Sequence, residues 1–367
     1  MPIRLARRDL LTAFGASLFS GGPLCRLAEA ADKGNKGAGL FAGAYMERQN
    51  RYGVAVFDGD GNILSRYRLP ARGHGMASGA ASPWLVAFAR RPGNFALAID
   101  VKSGKPLLFK SPSHTHFYGH GAFSSDGKLL FATENRFESG EGLIGIYDAT
   151  DSFSRIAEIP SHGIGPHETV LMPDGHTLCV ANGGIATHPD TGRAKLNLPE
   201  MQSSIVFIDS RHGDPVAKFD VPQRMRRLSL RHMAIDHKGK VWIGGQYEGD
   251  ERDTVPLIAT ACPERGLDFP DLPRNRVSAL SNYVGSVASS SDGERVAFSS
   301  PRGNTLLIVD AAKCAVIRQQ NINAVCGIAS GGKGFLTTSL SGGIGRRKHP
   351  LHWDNHSAEM PHHPPSM

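Results

Sequence analysis

Apolar and polar positions in this chain alternate in short bursts, and the bursts repeat. From Gly73 the segment "GHGMASGAASPWLVAFARRPGNFALAIDVKSGKPLLF" reads as a short strand, a turn, an apolar second strand, a loop, a third strand ending in aspartate, another turn and a fourth strand. From Gly119, "GHGAFSSDGKLLFATENRFESGEGLIGIYDATDSFSRIAEI" has the same grammar. It continues in "PHETVLMPDGHTLCVANGG" with "SSIVFIDSRHGDPVAKFDV", in "RHMAIDHKGKVWIGGQY" with "VPLIATA", and in "VGSVASSSDGERVAFSSPRGNTLLIVDAAKCAVIRQQ"; "AVCGIASGGKGFLTTSLSGG" opens a further copy. Hairpin turns "SDG", "PDG", "HKG" and "SDG" fall between first and second strands. A period of roughly 40–50 residues built from four strands is the signature of a β-propeller blade.

The ends of the pattern supply the blade count. "GLFAGAYM", "GVAVFDGDG" and "ILSRYRL" read as second, third and fourth strands with no first strand before them, and "HWDNHSAEM" near the C-terminus can fill that place. The prediction is an all-β fold: a seven-bladed β-propeller of four-stranded blades over residues 31–357, its ring closed by N- and C-terminal strands so that no edge is left free. A flexible tail containing His362 and His363 is expected over 358–367.

Composition agrees with this and adds an address. With 43 Gly, 23 Pro and 7% aromatic residues, the chain suits short strands and tight turns. Residues 1–30 read as a twin-arginine signal peptide: Arg7 and Arg8 precede a weakly apolar run, shorter than the ~20 residues of a span, and Ala28-Glu29-Ala30 offers a cleavage site. The expectation is a periplasmic monomer with no membrane span after cleavage. Loss of the signal lowers the formal net charge from +7 by two, to +5. That excess reads as a solvated surface, and no basic cluster is interleaved with stacking aromatics, which argues against nucleic acid.

One chemical feature rides on the repeat. Superposing the first strands puts His74, His120, His167, His232 and His356 in one slot of five consecutive blades, with Gly285 and Cys326 in the other two. First strands are innermost in a propeller, so the slot faces the central channel. With 16 histidines in 367 residues, fewer than one would fall in seven slots by chance. Neutral imidazole, with a thiolate beside it, suits iron, copper or zinc better than magnesium or calcium, so His74, His120, His167, His232, His356 and Cys326 are the candidate metal ligands. Glu134, Asn135, Asn182 and Gln246 follow second strands and are expected at the channel rim, and Glu168, just after His167, is placed to supply a carboxylate or to orient its neighbour. The long loop "GGIATHPDTGRAKLNLPEMQSS" falls on the same face and could lid the channel.

Several stretches, namely "FYGHGAFSSDG", "TEN", "PSHGIGPHETVLMPDG", "VANGGIATHPD", "LNLPEMQSS", "LSLRHMA" and "WDNH", resemble the bacterial family catalogued as domain of unknown function 1513. The resemblance implies an exported propeller associated with imelysin-like proteins and a haem-containing periplasmic partner, in iron uptake or the handling of another metal. Two other readings stay open. A metal-dependent propeller enzyme, oxidoreductase or lactonase-like, is the less favoured, because haem-attachment, nucleophile-elbow and Walker signatures are all missing from the sequence. A metal-free docking scaffold would tolerate loss of the histidines. Cys262 and Cys314, near the ends of third strands in adjacent blades, are compatible with one disulfide.

Overall fold

The computed structural model describes residues 39–331 and 334–361; the expected signal peptide and the tail histidines His362 and His363 lie outside these. Seven four-stranded antiparallel sheets make a seven-bladed β-propeller. The inner strands are Gly73–Ser78, Thr115–Phe123, Pro166–Leu171, Leu228–Ile235, Ser286–Ser289, Val325–Gly331 and His352–Glu359, and each contacts the next around the ring.

Ring closure is as the sequence predicts. The strand His352–Glu359 pairs antiparallel with Leu40–Glu47, which continues into Arg51–Asp58 and Ile63–Leu69. Pairing runs two residues past the expected boundary at 357, through Ala358 against Ala42 and Glu359 against Phe41, and the buried Met360 donates its backbone N–H to Leu40.

Burial follows position in the blade. Middle strands such as Phe95–Asp100 and Ser204–Asp209 face neighbouring sheets on both sides, which is why they are nearly continuous apolar runs. Outer strands such as Pro215–Asp220 keep one face in solvent and alternate accordingly. The core therefore lies between blades, where Trp242, Trp353, Phe88 and Phe298 are fully enclosed. It forms a rigid wall around the channel.

The four cysteines among the described residues are free thiols, so the suggested bridge between Cys262 and Cys314 is not formed. Cys314 instead lies 3.5 Å from the ammonium of Lys240.

Candidate metal centre

Each inner strand that carries a slot histidine breaks its pairing register there. Shifts occur between Gly73 and Met76, Phe117 and Gly121, Pro166 and Glu168, Leu230 and His232, and on the closing blade opposite Gly43 and Tyr45. A β-bulge releases one or two residues from the ladder and re-aims the side chain there. By contrast, Ser286–Ser289, preceded by Gly285, pairs with the next strand without a shift. Glycines beside the histidines let the backbones close in: a Cβ on Gly119, whose φ is +104°, would sit 2.7 Å from His74 Cδ2.

The five imidazoles converge. Ring centroids are 4.5 Å apart for His120 and His356, 4.6 Å for His167 and His232, 4.7 Å for His74 and His356 and for His232 and His356, and 5.0 Å for His120 with His74 and with His167. Two triads share His120: His74, His120 and His167, and His120, His232 and His356, with ligand nitrogens in each within 4.8 Å of one another. Two nitrogens bound to one ion at ~2.1 Å lie at most ~4.2 Å apart, so small ring rotations bring either triad to bonding distance.

Two carboxylates orient the rings. His74 Nδ1 is 2.8 Å from Asp354 Oδ1, and an ionised carboxylate only accepts, so Nδ1 carries the proton and Nε2 keeps its lone pair. Glu168 spans two other rings, with Oε2 3.3 Å from His232 Nδ1 and Oε1 3.8 Å from His120 Nδ1, and it accepts the Met233 backbone N–H. Asp354 is held by Arg90, at 2.9 and 3.0 Å, and by Arg72 at 2.6 Å. Burial opposes its ionisation, but Arg90, His74 and Arg72 together keep its carboxyl well below the usual range.

Four other ring nitrogens have no partner. His120 Nε2, His167 Nδ1, His232 Nε2 and His356 Nε2 are buried without a hydrogen bond. Each such atom costs about 1–3 kcal/mol, and four in one cluster of side chains are hard to reconcile with packing alone. Burial, opposed in part by Asp354, lowers the His74 pKa to about 4; burial lowers that of His120 to about 3. Burial also holds His167, His232 and His356 well below their ordinary value. All five rings are thus neutral near pH 7, the state that donates to a metal.

Access is through a throat and a vestibule. A cavity of about 20 Å³, room for roughly one water, adjoins His74, His167 and His232 and is ringed by Arg90, Arg91, Arg193 and Arg231. It opens into a vestibule of about 410 Å³. The loop 183–203 builds part of that wall with Arg193 and Lys195, as expected of a loop over the channel. It is fixed by Asn197, whose side chain accepts from the Ala186 N–H at 2.7 Å and donates to the Gly184 carbonyl at 3.0 Å, and by Tyr118 donating to the Ile185 carbonyl.

The other expected site residues divide. Gln246 does reach the mouth, where it binds the guanidinium of Arg231. Cys326 is not in the cluster: its thiol is 3.6 Å from Thr338 Oγ1, amid an apolar core with Phe41, Phe57 and Trp353, and burial pushes its pKa up to about 12. Glu134 and Asn135 are not on a rim loop, because pairing continues to Arg136, opposite Thr115. Glu134 is fully buried and accepts from two residues of its own blade, Tyr147 at 2.5 Å and Arg155 at 2.8 Å. Asn135 donates to the Thr187 carbonyl at 3.3 Å and so anchors the long loop from below. Asn182, also within its strand, donates to the Ser161 carbonyl at 2.9 Å. Sequence reasoning missed Asp354 and Arg90. Both were within reach: Asp354 is two residues from His356, and Arg90 follows a second strand, the position used to choose Glu134 and Gln246.

A family model described as "Protein of unknown function (DUF1513)" matches residues 67–360. Among solved structures the chain is similar to a chain of Kuenenia stuttgartiensis hydrazine synthase, with a TM-score of 0.58 and 13% identity over 83% of this chain and 94% of that one. It is also similar to the Myceliophteria thermophila Cps50 (Swd1) β-propeller domain, with a TM-score of 0.56 and 12% identity over 81% of this chain and 93% of that one. At such identities the likeness is one of fold. No curated protein matches the sequence.

Proposed function

The chain belongs to the DUF1513 family, and from that premise we propose that its propeller binds a transition metal ion, iron or copper foremost and zinc next, through His74, His120, His167, His232 and His356. The observation that carries this reading is the set of four buried, partnerless ring nitrogens in one cluster of five neutral imidazoles, whose ligand atoms converge in two triads. Glu168 and Asp354 would hold the rings in the tautomers that donate. The ion would serve an accessory role in metal uptake or handling. Export to the periplasm and an imelysin-like or haem-containing partner rest on the sequence and on the resemblance.

The test is metal content by mass spectrometry of protein recovered without chelator or affinity tag, beside the double variant His120→Ala, His167→Ala. The expected outcome is near-stoichiometric metal in the parent and less than a tenth of it in the variant. Absence of metal from both, after reconstitution with iron, copper and zinc in turn, would sink the reading. A metal-dependent enzyme is the second reading, favoured by the throat, which gives a water-sized molecule a path to His74, His167 and His232.

A further inference from the structure

The vestibule has a chemistry of its own. Its wall carries seven basic side chains, Arg72, Arg90, Arg91, Arg193, Lys195, Arg231 and Arg302, and one acid, Glu248. The nearby carboxylates are already engaged. Glu248 pairs with Arg231 at 2.7 Å and with Lys195, while Asp354 takes Arg72 and Arg90. Arg91, Arg193 and Arg302 have no carboxylate partner among the described residues. Arg91 lies over the Tyr118 ring and Arg302 over the Tyr283 ring, at 5.7 and 4.5 Å, and both line the vestibule. Arg193 comes from the anchored loop. Partial desolvation, then the charges of Arg90 and Arg91, push its pKa down to about 10.

Such an accumulation opposes folding unless something is gained by it. Like charges crowded at the mouth of a concave, low-dielectric wall repel one another and raise the local concentration of counter-ions. Guanidinium forks match the planar oxygens of carboxylate and phosphate. The Gln246 and Asn355 amides and the Tyr283 ring complete a lining that is polar throughout the deep end. At about 410 Å³ the space is in the range of small-molecule sites, while the throat below passes nothing larger than a water-sized group.

We propose that the vestibule is a receptor for a small multivalent oxyanion, held by Arg91, Arg193 and Arg231 where the vestibule meets the throat and by Arg302 on the wall above. This assignment stands whether or not the histidines hold an ion: Arg91 lies on Tyr118, Arg302 on Tyr283, and Arg231 binds Gln246 and Glu248 and not the slot imidazoles.

The experiment is calorimetric titration of the full mature chain, metal-free and metal-loaded, with citrate, with pyrophosphate and with acetate as a singly charged control. Saturable one-to-one binding of citrate or pyrophosphate, at least 30-fold tighter than acetate and weakened by rising salt, is expected; whichever binds tighter names the source, polycarboxylate or phosphate. The double variant Arg193→Ala, Arg302→Ala should lose at least 30-fold in affinity, and Arg193→Lys, Arg302→Lys should retain part of it, with melting curves confirming that both fold. His120→Ala, His167→Ala should bind the anion as the metal-free parent does, which separates this proposal from the metal reading. No saturable binding of either oxyanion, or binding unchanged in the double alanine variant, would overturn it.

Discussion

At the scale of the residue, the candidate site is a problem in protonation. Each slot imidazole is neutral because burial disfavours its charged form, and the rings disfavour one another's charge as well. In the unfolded chain these groups titrate near 6.5, whereas His74 in the fold does so only at about 4. Below pH 6.5 the unfolded state takes up protons that the native state refuses, so stability falls as pH drops toward 4. Glu168 and Glu134, whose pKa values burial raises, work in the opposite direction, but two carboxyls stand against five imidazoles. Metal-free protein should therefore show a melting temperature that declines steadily from pH 7 to pH 4.5, and a flat profile would refute the neutral cluster. Glu168→Gln keeps shape and removes the charge that fixes His232 and faces His120. Competition with a chelator of known affinity should show metal binding weakened by about 10–100-fold, with the secondary structure unchanged in far-ultraviolet circular dichroism.

At the scale of the element, the bulge is what turns a repeated histidine into a cluster. The slot was legible because superposed first strands placed five histidines at one position, and that inference needed only the repeat. The bulges were not legible, since an extra unpaired residue leaves no mark in a pattern of apolar and polar positions. A bulge alone does not decide the outcome: the strand of Cys326 shifts register too, between Val325 and Ile328, yet its side chain turns into the core. The strand ends were missed for a related reason: "TEN" and "AN" read as loops, yet their backbones remain paired to Arg136 and Asn182. Gly119 offers a test of the bulge. Gly119→Ala combines a backbone at φ +104° with a Cβ pressed on the His74 ring, whereas Gly140, at φ +72°, has open space where its Cβ would go. Chemical denaturation should show Gly119→Ala losing about 1–3 kcal/mol and Gly140→Ala clearly less; equal losses would mean that the ring contact contributes nothing.

At the scale of the molecule, the all-β class, the blade count and the closing strand could all be read from the chain, because each follows from short-range alternation repeated at a fixed period. The basic vestibule could not. The sequence reading took the positive excess as dispersed over a solvated surface, and along the chain it is: Arg72, Arg90, Arg193, Arg231 and Arg302 belong to different segments. Only the closed ring brings them to one opening. A propeller makes such gatherings easy, since every blade presents corresponding loops on the same face.

The closing blade also sets an order of assembly. Its inner strand, His352–Glu359, brings Asp354 and His356 to the centre from the far end of the chain. Six blades' worth of backbone must leave the ribosome before that strand exists. A nascent or truncated chain would lack both the fifth ring and the carboxylate that fixes His74, and it would carry an unsealed sheet edge. The centre is thus the last thing the protein finishes, and only an intact molecule has it.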